Sequence, residues 1–209
     1  MSARWRWWVG GVVGGLAVGC GTPAPDGASS SSSSVEGVSF SGSVAGRTLD
    51  IKGASGVLVA AKDGSVEAMI VGIENRAGLC ELFRGPYEWA STGFAITFLR
   101  KPLPGATLSV SFPPGTYAIG APTKTAGSEV QLSASFYESD KTCTNLVPAA
   151  SQKATGGTVT IVSVDLGVVT GSFDVAFGAE WVTGSFKIPL CPILWDDVIR
   201  KRTCEPAPA

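Results

Sequence analysis

Val169-Thr170-Gly171-Ser172-Phe173 recurs as Val182-Thr183-Gly184-Ser185-Phe186, 13 residues later, with Gly178-Ala179 between the copies. In each copy an apolar or small residue alternates with a polar one, the period-two pattern of a strand with one buried face. Two matching strands around a glycine turn predict an antiparallel hairpin. One repeat does not make a solenoid, which needs three or more units. The glycine inside each copy reads as room for a bend or bulge.

The same pattern extends in both directions. Thr158 to Val162 predicts a neighbouring strand, and Val130 to Tyr137 alternates with Val130, Leu132, Ala134 and Phe136 on one face. Upstream, Val38 to Val44, Thr48 to Lys52, Val57 to Ala61, Val66 to Ile73, Phe94 to Leu99 and Thr107 to Phe112 all read as strands. The punctuation is turn chemistry. Ala45-Gly46-Arg47 and Lys62-Asp63-Gly64 are hairpin turn signals, and Pro113-Pro114-Gly115-Thr116-Tyr117 predicts a type II turn with Gly115 at positive φ. The Tyr117 hydroxyl is expected to bond backbone at a sheet corner. The one helical signal is Trp195 to Lys201, acids first and bases last, as the helix dipole favours. The expectation is an all-β domain of about nine to twelve short strands. An antiparallel β-sandwich is the first architecture and a small β-barrel the alternative.

The N-terminus is of another kind. Arg4 and Arg6 precede an uncharged apolar run from Trp7 to Gly19, too short for a comfortable membrane span but of the length of a secretory h-region. It ends in Leu16-Ala17-Val18-Gly19-Cys20, which resembles the lipobox of bacterial lipoproteins. That resemblance implies cleavage before Cys20, a lipid on its thiol and attachment to a membrane. Several acyl chains give lasting attachment where one is marginal. The residues that follow are mostly Pro, Ser, Ala and Gly, with six consecutive serines from Ser29 to Ser34. Such a stretch buries no core and reads as a flexible tether. The expected organisation is a signal peptide over 1–19, a lipidated Cys20 and tether over 20–37, and a single all-β domain over 38–206.

This organisation changes the arithmetic. Removing Arg4 and Arg6 takes the basic residues from 16 to 14 against 17 acidic ones, a net charge of −3. There is no basic field for nucleic acid. Trp89, Trp181 and Trp195 remain of six tryptophans. With Cys20 assigned to lipid, Cys80, Cys143, Cys191 and Cys204 remain, an even number that reads as two disulfides in an exported chain. Three pairings are open. Cys80–Cys143 with Cys191–Cys204 is favoured because the latter closes a short loop.

The chain contains no histidine. That removes Ser-His-Asp and Cys-His catalysis and imidazole metal ligands. No cofactor motif, C-x-x-C pair, phosphate loop or EF-hand spacing is present, so no cofactor and no metal is assigned. Glu67, Glu74, Glu81, Glu88, Glu138, Asp174 and Glu180 are the acids a carboxylate-only glycosidase would draw on, but no spacing singles out a pair. Asp174, between Phe173 and Val175, is expected to face water. Glu138-Ser139-Asp140 is expected to form an Asx-type turn before Cys143. Trp89 and Tyr87, in Pro86-Tyr87-Glu88-Trp89, are the candidate ligand contacts, since exposed aromatics stack on sugars or on partner proteins.

The whole pattern resembles uncharacterised β-rich lipoproteins of Gram-negative bacteria with large, GC-rich genomes. The resemblance is carried by the lipobox, the serine tether, Pro113 to Tyr117, and the stretch from Gly156 to Cys191. It implies an outer-membrane or periplasmic location, with Gly21 after the cysteine matching export to the outer membrane. It implies no activity. The sequence thus leads to a lipid-anchored envelope protein with a binding or structural β-domain, its partners a membrane and a glycan or envelope protein. A carbohydrate-active enzyme and an assembly partner are the alternatives, and the oligomeric state is open.

Overall fold

The structure is a computed structural model and describes residues 32–61, 65–82, 90–105, 112–125, 127–140, 144–165 and 167–191. It contains eleven strands: β1 (Ser32–Val35), β2 (Val38–Gly42), β3 (Gly53–Ala60), β4 (Glu67–Glu74), β5 (Thr92–Pro102), β6 (Gly115–Ala118), β7 (Thr123–Thr125), β8 (Ser128–Glu138), β9 (Gly156–Asp165), β10 (Val168–Phe177) and β11 (Glu180–Cys191). One helical turn, α1 (Leu79–Leu82), follows β4. The all-β expectation holds.

Two antiparallel halves face each other. One runs β6-β9-β10-β11-β2-β1 and the other β3-β4-β5-β8-β7. Strand β11 joins them. Its first half pairs antiparallel with β2, and its last two residues, Leu190 and Cys191, pair parallel with Gly56 and Val57 of β3. The opposite seam is stitched along the outer edge of β8. There β7 pairs with Ser128 to Val130, Ile119 bridges Leu132, and Lys153 bridges Ser135. The sheet is therefore mixed and nearly closed into a barrel, the second of the two architectures expected. Parallel pairing occurs at β11–β3, a crossover between the halves, and at the isolated Ile119–Leu132 bridge on the opposite seam.

Alternation determines what fills it. Along β8, Val130, Leu132, Ala134 and Phe136 are buried while Gln131 and Ser133 are exposed. On β5 the inward set is Phe94, Ile96, Phe98 and Arg100. Phenylalanines dominate the centre. Phe94 and Phe173 have ring centroids 4.9 Å apart, and Phe40 packs edge-on to Phe94 at 5.6 Å. Such pairs add roughly 0.5–1.5 kcal/mol each beyond the area they bury.

The repeated pentapeptide forms the centre of one half. In the β10–β11 hairpin, Gly171 pairs with Phe186, Ser172 with Ser185, and Phe173 with Gly184. Each glycine thus lies opposite the phenylalanine of the other copy. A Cβ on Gly171 would meet the Phe186 ring and the Thr160 carbonyl, and one on Gly184 would meet the Phe173 ring and the Ser39 carbonyl. The glycines make room for rings rather than bends. The one register shift nearby lies in β9, where Val162 is the extra residue opposite the Thr170–Gly171 step.

Several expectations need correction. Residues 32–35 belong to the sheet, not to the tether: β1 pairs with β2 from Ser32–Ser41 to Val35–Val38. An edge strand draws its stability from backbone hydrogen bonds, so low hydrophobicity does not exclude serines. Thr48 to Lys52 is not a strand. Leu49 and Ile51 are buried as a strand pattern requires, but they insert into the core from a loop. Gly115 opens β6 with φ of 156°, not the turn value of about +80°. Phe112 is buried outside any strand, and the rest of the expected strand from Thr107, like the expected turn at Lys62 to Gly64 and the helix from Trp195 to Lys201, lies outside the described residues. The Ala45-Gly46 turn is present, with φ of 53° and 71° and a bridge between Val44 and Arg47.

Candidate functional site

The cysteines bear on compartment. Cys80 of α1 is bonded to Cys191 at the end of β11, with Cα atoms 5.4 Å apart across a sequence separation of 111. The favoured pairing of Cys80 with Cys143 and of Cys191 with Cys204 is therefore overturned. Fold topology, not loop length, sets the pairing. The crossover onto β3 sets Cys191 beside Val57, under α1. Val57, Val59, Ala68 and Cys191 form a second apolar cluster there, with Cys80 and Leu99 packed against it. Cys143 and Cys204 lie outside the described residues, as does Cys20. Peptide mapping without reductant is expected to recover Cys80 and Cys191 in one cross-linked species. Recovery of Cys80 linked to Cys143 would contradict this arrangement.

Among the described residues the acids do not converge. Glu67 lies on the inner face of β4, beside Met69, Val71 and Ile73 in parity, and its carboxylate is 2.6 Å from Arg100 Nη2. Arg100 in turn lies over the Phe112 ring, 5.4 Å from its centroid. Burial pushes the Glu67 carboxyl above its ordinary value of 4.5, with Arg100 pulling the other way. Burial likewise raises Tyr117, which packs edge-on to Phe98 and whose hydroxyl donates to the Pro113 carbonyl at 2.6 Å. That is the expected sheet-corner tyrosine.

Glu74 lies at the other end of β4 on the outer face. It accepts from Tyr137 Oη and from Arg76, 3.3 Å away. Glu74 lies seven residue steps along the strand from Glu67, roughly 23 Å, and the two point to opposite faces. They cannot act as a glycosidase pair, which needs about 5–10 Å. Glu138 pairs with Arg47 at 2.7 Å, and Glu180 accepts from Ser43, Ala45 and Gly46, tying the β2–β3 turn to the hairpin tip. Asp140 Oδ1 accepts from the Thr144 amide four residues on, a wider closure that runs past Cys143 and is not the expected Asx-type turn, whose side chain bonds the amide two residues on. The side chain of Glu81 and all of Glu88 lie outside the described residues. Among the described residues no group of three or more acids and cysteines is placed to hold a metal.

Tyr87 and Trp89, the aromatic pair singled out for ligand contact, lie outside the described residues. The structure draws attention to a different aromatic. Trp181 is 54% exposed at the start of β11, pointing away from the core. It stands at one end of an outer surface made almost wholly of hydroxyls. Strand register aligns Thr116, Thr160, Ser172, Ser185, Ser39 and Ser34 in one row across six strands. Directly paired residues share a face. The next row is Thr158, Asp174, Thr183, Ser41 and Ser32. Asp174 faces solvent, as expected, while Phe173 and Val175 are buried. Two cross-strand hydroxyl pairs are hydrogen-bonded at 2.9 Å, Thr116 with Thr160 and Ser39 with Ser185. Beyond them the β9 bulge leaves Val162 60% exposed.

The signal for this surface was in the sequence. Trp181, Thr183, Ser185 and Lys187 occupy alternate positions, so one face of the strand announces itself. What sequence alone lacks is the register that aligns these residues with those of five other strands.

Comparison with known protein families, curated proteins and solved structures finds no match to this chain. The functional reading therefore rests on the residues and their placement. Among the described residues no helix is long and apolar enough to cross a membrane.

Proposed function

We propose that this chain is a lipid-anchored cell-envelope protein whose β-domain works by binding. The observation that carries the binding reading is Trp181, an aromatic ring held in solvent on a rigid sheet beside two rows of hydroxyls. Exposed aromatics on a fixed scaffold are the usual anchors of recognition. The Cys80–Cys191 disulfide supports export, since such bonds persist in oxidising compartments. The lipobox-like stretch ending at Cys20 supports anchorage, and Gly21 supports delivery to the outer membrane.

Anchorage is tested separately from binding. Wild-type chain is expected to enter the detergent phase on partitioning, and Cys20→Ala to stay in the aqueous phase or accumulate as uncleaved precursor. Equal partitioning of the two would refute lipidation at Cys20.

A further inference from the structure

We infer that the Trp181 face takes a neutral polysaccharide laid across the strands. This rests on the binding reading above and names its ligand. The chemistry of the face makes the choice. Its two aligned rows carry ten hydroxyls and a single charge, Asp174. Lys187 is the one base in the neighbouring row. Nucleic acid needs a field of several cations, and this surface has one. A stable protein interface needs an apolar core of several anchors, and here one ring and one valine stand far apart among hydroxyls.

Sugars complement both parts of the surface. Their C–H faces stack on an indole, and their hydroxyls donate and accept as serine and threonine do. A surface this poor in charge matches an uncharged polymer.

Shape selects a polymer over a single sugar. The rows lie on the convex outside of a sheet, not in a cleft, so a small ligand would bury little of itself. A chain can collect many weak contacts instead. The extent is adequate: six strands span about 24 Å, and Gly156 to Val162 covers roughly 20 Å along β9. Trp181 flanks the rows on one side and Val162 on the other, so a polymer that follows the rows across the strands passes between them. On the opposite outer surface, α1 and the Cys80–Cys191 bond pack over part of β3 and β4.

The test uses the full chain purified in detergent, with swollen amorphous cellulose and colloidal chitin as probes in high salt, which screens ionic contacts. Wild type is expected to be retained on at least one of them. Trp181→Ala should weaken retention about tenfold, the loss of one stacked ring. Thr183→Arg, which sets a long side chain among the rows, should weaken it by at least as much. Gln131→Ala, on the exposed face of β8, should leave it unchanged. No retention of wild type, or equal retention of wild type and Trp181→Ala, overturns the inference. A photo-reactive residue at Ser185 in living cells separates the two levels of failure. Cross-linking to an envelope protein, with no retention on polysaccharide, sinks the glycan but keeps a binding face. With neither, the binding reading falls as well.

Discussion

Replacing Arg100 by Met is expected to destabilise the folded chain by about 3–5 kcal/mol at neutral pH, because it leaves the Glu67 carboxylate buried without its cation. Arg100 is 1% exposed and Glu67 6%, and they are direct cross-strand partners on β4 and β5. The two charges are held 2.6 Å apart among Phe98, Phe112 and Tyr117. Removing both charges should do far less harm. Glu67→Leu with Arg100→Met is expected to lie within about 1 kcal/mol of wild type, since an apolar pair of similar volume carries no desolvation cost. The pH dependence follows from the raised Glu67 carboxyl. The folded chain holds that proton more tightly than the unfolded one, so this group's stabilising contribution is complete below pH 4.5 and fades as pH rises through the raised value. Without Arg100 the opposing pull is gone, so acid should rescue the single variant more than wild type. The double variant should lose this part of the pH dependence. Urea denaturation at neutral and acid pH reads all three. A double variant as unstable as the single one would show that the pair acts through something other than charge burial.

The contrast between this pair and the rest of the barrel shows what a sequence makes legible. Period-two alternation located β8, because a half-buried strand must alternate, while β3 and β4, buried on both faces over much of their length, read as continuous apolar runs beside a turn signal. It failed at Leu49 and Ile51, which satisfy the same pattern from a loop; burial, not pairing, is what alternation reports. It was silent on β1, where serines contribute ladder hydrogen bonds and Ser33 Oγ donates to the Leu49 carbonyl. Arg100 continues the inward series of Phe94, Ile96 and Phe98, but a charge at an inward position reads as a strand end until its partner is known, and Glu67 lies 33 positions away. The cysteines failed for the same reason. Cys191 reaches Cys80 only because β11 crosses onto β3, and nothing local encodes that crossover. Trp181 was legible as an outward residue through Thr183 and Ser185. The hydroxyl rows were not, since each row draws on strands scattered from Ser32 to Ser185.

Gly184→Ala is expected to destabilise the chain by about 3 kcal/mol, the upper range for overpacking a filled core. The new methyl group has no room. It would meet the Phe173 ring on one side and the Ser39 carbonyl of β2 on the other, and backbone cannot swing aside as a flexible side-chain tip can. Gly178 provides the contrast. It occupies the hairpin turn with φ of 67° and nothing within 4 Å of its missing Cβ, so Gly178→Ala should cost only about 1 kcal/mol, through conformation alone. The two glycines are therefore retained for opposite reasons, crowding in the strand and dihedral angle in the turn. A compensating change distinguishes the clashes at Gly184. Phe173→Leu removes the ring but leaves the Ser39 carbonyl, so the double variant should recover part of the loss and not all of it. The residual should appear locally, as faster hydrogen exchange at the Ser185 amide, which donates to Ser39 Oγ at 3.0 Å. Strand β2 is held against β11 over only five residue pairs, from Val182–Gly42 to Phe186–Val38, so the displacement should release β2 and β1 before it disturbs the β9–β10 ladder. Unchanged exchange at Ser185, with normal stability, would mean that the rings of the two pentapeptides repack without needing either glycine.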